Sequence, residues 1–176
     1  MILGFIFAFV IFILCLYTFK DVLIKDFKQF KKDPRKNIET VFWYWFLVTI
    51  AFAISIFLTR IILSLDSTTQ IEINPHISFL IIISMIIFTP VVEECLLRYL
   101  PRTFIKNKYA YMILSSAIFA ALHFTGGIGV IFPFFVYGLI MCHLYLKHNN
   151  IFINIAVHFV YNLMVVVMSN LAMLFI

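Results

Sequence analysis

The sequence has 176 residues, of which 64% are hydrophobic and 12% are charged. Soluble domains contain roughly 45–50% apolar and about 25% charged residues, so this composition excludes an aqueous globular fold and indicates a membrane protein. The formal net charge of +5 does not indicate a nucleic-acid partner, because the basic residues cluster at the ends of apolar segments.

Apolar segments recur along the chain at lengths that suit transmembrane helices. The longest stretches without Lys, Arg, Asp or Glu are 1–19, 40–59, 73–92, 109–146 and 148–176. Each reaches the ~20 residues that cross a bilayer as a helix, and 109–146 is long enough for two helices with a break at Gly126 and Gly127. The sequence therefore predicts an all-α, polytopic bundle of about six membrane-spanning helices. Residues 1–176 form a single membrane domain, with a motif-bearing core at about 77–175.

The first apolar segment has two possible interpretations. A cleaved signal peptide carries a basic region before the apolar run and a small-residue site after it. Neither pattern accompanies residues 1–19. We therefore expect this segment to be a membrane helix.

Basic residues cluster after the first, third and fifth predicted helices. The members of the three clusters are Lys20, Lys25, Lys28, Lys31, Lys32, Arg35 and Lys36, then Arg98, Arg102, Lys106 and Lys108, then Lys147. Short loops rich in Lys and Arg stay on the cytoplasmic side of a membrane. The sequence therefore predicts a multi-pass protein of the cell membrane with cytoplasmic basic loops, an external loop at 65–76 and both termini outside.

The first basic cluster lies in the segment 20–39, which we interpret as a solvated basic loop. The alternative is a short interfacial helix. Phe27 and Phe30 are interleaved with lysines, and such a helix could contact anionic lipid headgroups.

Few ionisable or strongly polar side chains fall inside the predicted membrane helices. A charge in the middle of such a helix costs about 2.5–3.5 kcal/mol on insertion scales, so these residues are candidates for function. They are Glu93, Glu94, His123, His158 and Asn162. The structural alternative is an ion cluster of the two acids with Arg98 that holds helices together, and an interhelical hydrogen bond for each histidine.

The candidates lie at similar depths if the third helix continues past Pro101. From the basic boundary at 106–108, Glu93 is roughly 20 Å and His123 roughly 22 Å away at 1.5 Å per residue. By the same rise, His158 is about 16 Å from the third basic cluster. Side chains from three helices can therefore line one cavity.

Spacing along the helices separates these residues further. Glu94 and Arg98 are four residues apart with the acid first, which favours a helical ion pair. Glu93 points about 100° away around the helix, so its carboxylate is left to face a water-filled cavity. His158 and Asn162 are also four residues apart and share one helix face.

Three ordered motifs contain the candidates. They are Glu93-Glu94-Cys95-Leu96-Leu97-Arg98, Phe119-Ala120-Ala121-Leu122-His123 and His158-Phe159-Val160-Tyr161-Asn162. This set resembles the EExxxR, FxxxH and HxxxN motifs of the CAAX prenyl endopeptidase family, also described as the CPBP family of bacteriocin-processing and immunity proteases. The resemblance covers roughly residues 85–165.

The resemblance implies an intramembrane endopeptidase that cleaves a peptide or membrane-protein substrate with an activated water. Carried over by motif, Glu93 is the general base and His123 helps to hold and polarise the water. His158 and Asn162 stabilise the oxyanion of the tetrahedral intermediate. The sequence does not name the substrate, nor whether a prenyl group is recognised.

The resemblance gives Glu94 and Arg98 a supporting role and leaves open whether a metal takes part. Glu93, His123 and His158 supply three possible zinc ligands and leave a fourth position for water, which is the ligand count of catalytic zinc sites. The HExxH spacing of soluble zinc proteases is absent. We therefore favour a metal-free mechanism that requires no cofactor.

Two other functions fit the same residues. A non-catalytic membrane protein could use this scaffold for bacteriocin self-immunity or for binding a partner. A proton or ion transporter could use Glu93 and His123 as relay groups, although the sequence has no pair of interrupted repeat halves.

Overall fold

The structure, a computed structural model, describes residues 2–63, 79–124 and 128–173. Within these ranges the secondary structure is helical, as predicted. The helices are α1 Ile2–Thr18, α2 Lys20–Phe30, α3 Pro34–Leu63, α4 Phe79–Phe104, α5 Lys108–Leu122, α6 Ile131–His148 and α7 Ile151–Met173. A short 3₁₀ turn at Ile128–Val130 precedes α6.

The apolar helices coincide with the predicted membrane segments, but their lengths differ. Four of them, α3, α4, α6 and α7, are long and apolar enough to cross a membrane, and α1 joined to α2 at a 75° bend makes a fifth candidate. Helix α5 has 15 residues and is shorter than a full span. The described residues therefore give a multi-pass membrane protein with four to five candidate spans, and the expected count of six is not established. The predicted break at Gly126 and Gly127 and the predicted loop 65–76 lie outside the described residues.

The interpretation of segment 20–39 as a solvated loop is wrong. Lys20–Phe30 is helical, and α3 begins at Pro34. Proline at the first position suits a helix start, and Asp33 accepts the Lys36 N–H at 3.3 Å. The segment folds because one face of α2 packs on the bundle, which the alternating lysines alone do not indicate.

Helix α6 lies at the centre of the bundle. Half of the residues in its most apolar stretch are buried inside the bundle, against 17% in the corresponding stretch of α3. Tyr137, Met141 and Leu144 of α6 are buried among side chains from α3, α4, α5 and α7. The opposite faces of the outer helices carry exposed large apolar residues, such as Phe42 and Trp43 of α3, as expected where the solvent is lipid.

Helix α4 continues through Pro101 to Phe104, which is the condition under which the candidate residues were expected to lie at similar depths. Proline has no N–H to bond the carbonyl four residues earlier, and that carbonyl belongs to Leu97. Here the Leu97 oxygen accepts instead from the Ser115 hydroxyl of α5 and from Arg98 Nη1 at 3.4 Å. Two π-helical turns, Ser84–Phe88 and Cys95–Tyr99, also adjust the path of this helix.

The connection between α6 and α7 is two asparagines long. Asn149 has a positive φ of 46°, a left-handed conformation that asparagine tolerates at a helix end. The Asn150 side chain accepts from the N–H groups of Phe152 at 3.0 Å and Ile153 at 3.2 Å, which caps α7. This cap sets the start of the helix that carries His158 and Asn162.

Candidate active site

The two adjacent acids lie in the regular α-helical stretch Thr89–Glu94 of α4, between its two π-helical turns. Such turns insert an extra residue and rotate the side chains that follow, and they are frequent at functional sites. Glu94 is completely buried, whereas the Glu93 side chain is 19% exposed. The two carboxylates therefore occupy different environments, as their helical spacing predicts.

Glu94 is held by one ion pair and two hydrogen bonds. Its Oε2 is 3.6 Å from Arg98 Nε, so the expected ion pair is present. The same oxygen accepts from Asn154 Nδ2 at 3.3 Å, and Oε1 is 2.9 Å from His158 Nδ1. Glu94 therefore does more than neutralise Arg98, because it also fixes the orientation of a motif histidine on α7.

Arg98 is fully buried and is stabilised by more than its acid partner. Its guanidinium lies 4.6 Å from the centre of the Phe119 ring, and Nη1 is 3.4 Å from Ser115 Oγ. A buried cation needs such compensation, since taking it out of water costs several kcal/mol. The Phe of the FxxxH motif thus supports the Arg of the EExxxR motif.

His158 lies between the two acids. Its Nδ1 bonds Glu94, as described, and its Nε2 is 3.9 Å from Glu93 Oε2. A carboxylate can only accept, so Nδ1 carries the proton and Nε2 is the nitrogen directed toward Glu93. Within the described residues, Glu93 Oε2 is buried and has no hydrogen-bond partner, which leaves it available to accept a proton.

His123 follows the last residue of α5, Leu122, rather than lying inside a membrane helix. Its Nδ1 is 2.8 Å from the Phe119 carbonyl, and its ring stacks on Phe134 with 4.0 Å between centres. An Nδ1–H donated to the carbonyl leaves Nε2 as an acceptor. The ring is therefore held from two sides with one nitrogen free for a ligand.

Asn162 lies one turn after His158 on α7. Its Nδ2 donates to the Met85 carbonyl of α4 at 2.8 Å. An asparagine amide has two N–H donors, so one of them is left for another acceptor. The bond to α4 fixes the direction of this amide.

Three of the four residues predicted to be catalytic line one cavity of about 320 Å³. They are His123, His158 and Asn162. Thr89 also lines the cavity, and the remaining lining residues are Phe52, Met85, Phe119, Phe134, Tyr137, Tyr161 and Val165. Glu93 is not part of the lining and lies behind His158, within 3.9 Å of it. The structure therefore brings side chains of α4, α5 and α7 together around one cavity, but the expectation that the Glu93 carboxylate also faces this cavity is not met.

The proposed metal ligands do not form a ligand set in this arrangement. Among the described residues, no three His, Cys, Asp or Glu side chains lie close enough together to hold a metal ion. Glu93 and His158 are neighbours, but His123 is not placed with them as a third ligand.

Asn154 is a site residue that the sequence motifs miss. It is fully buried, and its Nδ2 joins Glu94 to the Met141 carbonyl, which is 2.8 Å away. Asn154, His158 and Asn162 are spaced by four residues and form one polar stripe on α7. That stripe was the available signal, because an asparagine four residues before a motif histidine shares its helix face.

Comparison with known proteins agrees with the three motifs. A family model described as Type II CAAX prenyl endopeptidase Rce1-like matches residues 75–164, about half of the chain, and this range contains all four residues predicted to be catalytic. No curated protein and no solved structure gives a significant match.

Proposed function

We propose that this chain, which belongs to the Rce1-like family of type II CAAX prenyl endopeptidases, hydrolyses a peptide bond inside the membrane with a water activated by Glu93 and His123. The family supplies the reaction class, a membrane-embedded protease that acts on a peptide or membrane-protein substrate. The observation that carries the mechanism is the approach of Glu93 Oε2 to His158 Nε2 at 3.9 Å beside a cavity lined by the other motif residues.

Glu93 is the general base in this proposal. Its buried Oε2, which has no hydrogen-bond partner among the described residues, takes a proton beside His158 from a water that attacks the scissile carbonyl carbon. His123 holds that water, because its Nε2 is left as an acceptor when Nδ1 bonds the Phe119 carbonyl. Positioned proton transfer of this kind contributes about 10²- to 10⁴-fold to a rate.

His158 and Asn162 stabilise the oxyanion that forms when water adds. Asn162 offers its second N–H. His158 gains an Nε2–H when Glu93, whose Oε2 is 3.9 Å away, passes on the proton taken from water, while Nδ1–H stays bonded to Glu94. Each such donor is worth about 3–4 kcal/mol in other acyl-transfer enzymes. The apolar lining of the cavity strengthens these bonds, since it excludes bulk water.

Collapse of the intermediate completes the reaction. The carbon–nitrogen bond breaks, and the proton taken from water by Glu93 passes to the departing nitrogen. The products are a carboxyl terminus and an amine, so one water is consumed for each bond cleaved. Glu94, Arg98 and Asn154 touch no reacting atom and act by positioning His158.

The proposal is tested by comparing cells that carry the wild type, Glu93→Gln or the matched control Glu39→Gln. Glu39 is exposed at the start of α3 and has no role in the site. C-terminal and membrane proteomics should reveal peptides whose processing falls by about 10²-fold or more in Glu93→Gln and is unchanged in the control. A chelator added to membranes tests the metal alternative, and we expect processing to persist.

The same comparison separates hydrolysis from the alternatives. A bacteriocin-immunity or partner-binding phenotype that survives both Glu93→Gln and His123→Ala at equal protein abundance favours a non-catalytic role. The exposed His143 provides the control His143→Ala. Flux across liposomes that depends on Glu93, without cleavage of any peptide, favours transport.

We also infer that the basic end of the bundle faces the cytoplasm and both termini face outward. The basic helix α2 contacts the start of α7 through Asp26 and Ile151, which places it at the same end as Lys147. The positive-inside rule supports the cytoplasmic assignment of that end. Cysteine labelling of intact cells should leave Lys32→Cys protected and modify Arg60→Cys, and the reverse pattern would invert the topology.

A further inference from the structure

Helix α2 is a basic, amphipathic helix that the proposed hydrolysis does not use. It is bent by 75° from α1 and has 11 residues, so its length of about 16 Å is too short to cross a bilayer. Where α1 crosses the membrane close to its normal, a helix bent this far from it runs nearly along the membrane surface. Its side chains are therefore placed at the level of the lipid headgroups.

One face of α2 is fixed to the bundle. Asp26 is buried, and its Oδ2 accepts the Ile151 N–H at 2.7 Å. The rings of Phe27 and Phe30 lie 4.9 and 5.2 Å from that of Phe152 on α7. These contacts give α2 a defined rotation, so that its remaining faces point in fixed directions.

Three exposed lysines lie on the outward side of this segment. Lys25 and Lys28 share one face of α2, because they are three residues apart, and Lys32 lies in the turn that follows the helix. They border a shallow groove together with Asp21, Ile24 and Gln29. Asp21 is the one acidic member of this groove, and among the described residues none of the three lysines forms a close ion pair, so the groove carries a net positive charge.

Apolar side chains lie exposed beside these lysines. Ile24 is 52% and Phe27 43% exposed, and Lys31 Nζ lies 5.2 Å from the centre of the Phe27 ring. Lysines that extend over apolar groups with their charge outward are typical of helices at a membrane interface. A basic loop surrounded by water would have no need of exposed apolar side chains at these positions.

We propose that α2 is a binding surface for the headgroups of anionic phospholipids. Lys25, Lys28 and Lys32 supply the complementary charge for the phosphate groups, and Ile24 and Phe27 contact the upper acyl chains. The acidic charge of a membrane leaflet attracts such basic segments, and the adjacent apolar side chains favour lipid over a free anion. This surface follows from the fold and does not depend on the proposed hydrolysis.

The experiment uses the purified full chain in neutral detergent micelles, titrated with phosphatidylglycerol or phosphatidylcholine, with bound lipid counted by native mass spectrometry. The wild type should bind phosphatidylglycerol about tenfold more tightly than phosphatidylcholine. The triple variant Lys25→Gln, Lys28→Gln, Lys32→Gln should lose about tenfold in phosphatidylglycerol affinity. The matched triple variant Lys106→Gln, Lys108→Gln, Lys147→Gln removes the same charge and should stay within about twofold of the wild type.

Equal phosphatidylglycerol affinity in the wild type and the α2 variant would overturn the proposal, and so would an equal loss of affinity in both triple variants. Competition by inorganic phosphate or an acidic peptide that is as strong as competition by phosphatidylglycerol would also overturn it. A photoreactive phosphatidylglycerol added to the wild type gives a test that needs no variant. Cross-links within Lys20–Phe30 support the assignment, and cross-links confined to other helices contradict it.

Discussion

Glu94 shows how a single buried side chain organises the candidate site. It forms an ion pair with Arg98 on its own helix and accepts hydrogen bonds from Asn154 and His158 on α7. The resulting network fixes which nitrogen of His158 faces Glu93. Two helices distant in sequence are thereby locked into one geometry.

The polar stripe on α7 gives a prediction at the same scale. Asn154→Leu removes the donor to Glu94 Oε2 and leaves His158 less firmly oriented. We expect substrate cleavage to fall about tenfold, equivalent to about 1.4 kcal/mol, with little change in KM, because Asn154 does not touch the cavity. Nitrogen-15 NMR of His158 should show a weakened Nδ1–H bond in the same variant.

The control for this prediction is Asn170→Leu on the same helix. Asn170 is exposed, and among the described residues its amide bonds the Val166 carbonyl of its own helix alone. Cleavage and the His158 signal should match the wild type. An unchanged His158 signal in Asn154→Leu would contradict the positioning role even if the variant were less stable.

The motif residues can be picked out from the sequence, whereas most of their hydrogen-bond partners cannot. Glu93, Glu94, His158 and Asn162 stand out because charged and strongly polar groups are costly in a membrane helix. Asn154 does not, since a single asparagine in such a helix more often bonds a neighbouring helix. Which oxygen of Glu94 meets which donor depends on the rotation of α4 and α7, and spacing alone does not set that rotation.

At the scale of helices, the docking of α2 on α7 depends on Asp26. Asp26→Ala leaves the buried Ile151 N–H without an acceptor, which costs about 1–3 kcal/mol. Asp26→Asn keeps an acceptor oxygen and should hold the helix in place. Hydrogen exchange should therefore accelerate across α2 in the alanine variant only, and equal protection in all three proteins would argue against this contact.

Asp26 also gives a pH dependence with a defined sign. Burial raises the pKa of Asp26 above its ordinary value of 3.8, and the Ile151 hydrogen bond and Lys25 offset this only in part. Ionisation is thus harder in the folded chain. The stability of the wild type relative to Asp26→Asn should fall as pH rises from about 4 toward 7. Thermal unfolding in detergent measures the difference, and a rising relative stability would have the wrong sign.

Close contact between α5 and α6 requires a glycine. A Cβ added at Gly138 would lie 2.9 Å from Ser116 Cα, and that backbone cannot move aside without separating the helices. Gly138→Ala should therefore destabilise the fold by about 1–3 kcal/mol. In Gly4→Ala the new Cβ meets nothing within 4 Å, so that variant should unfold at the wild-type temperature or higher. Equal unfolding temperatures for both variants would contradict the close packing.

Helix positions follow from hydropathy, whereas helix ends depend on packing. The apolar residues of the segment 20–39 are compatible with a short interfacial helix as well as with a loop, and contacts with Ile151 and Phe152 decide for the helix. Helix α5 is shorter than predicted because it ends at Leu122, where His123 bonds back to Phe119. Such contacts join parts of the chain that spacing does not relate.

At the scale of the whole molecule, the amino-acid composition alone indicates that the protein is surrounded by lipid. Apolar segments of membrane length require lipid, and helices are the structure that satisfies their backbone groups there. The number of crossings is harder to predict, because the bend between α1 and α2 and the length of α5 are set by packing. The family assignment came from three short motifs in order, which the match over residues 75–164 confirms.

The most direct test of the account is cleavage in ¹⁸O-labelled water. The purified chain in liposomes is given a peptide whose processing in cells depends on Glu93. We predict that the new carboxyl terminus gains one ¹⁸O in the wild type and in Glu39→Gln, and that Glu93→Gln forms no such product above background. Cleavage by Glu93→Gln at the wild-type rate, or a product without the label, would contradict activation of water by this acid.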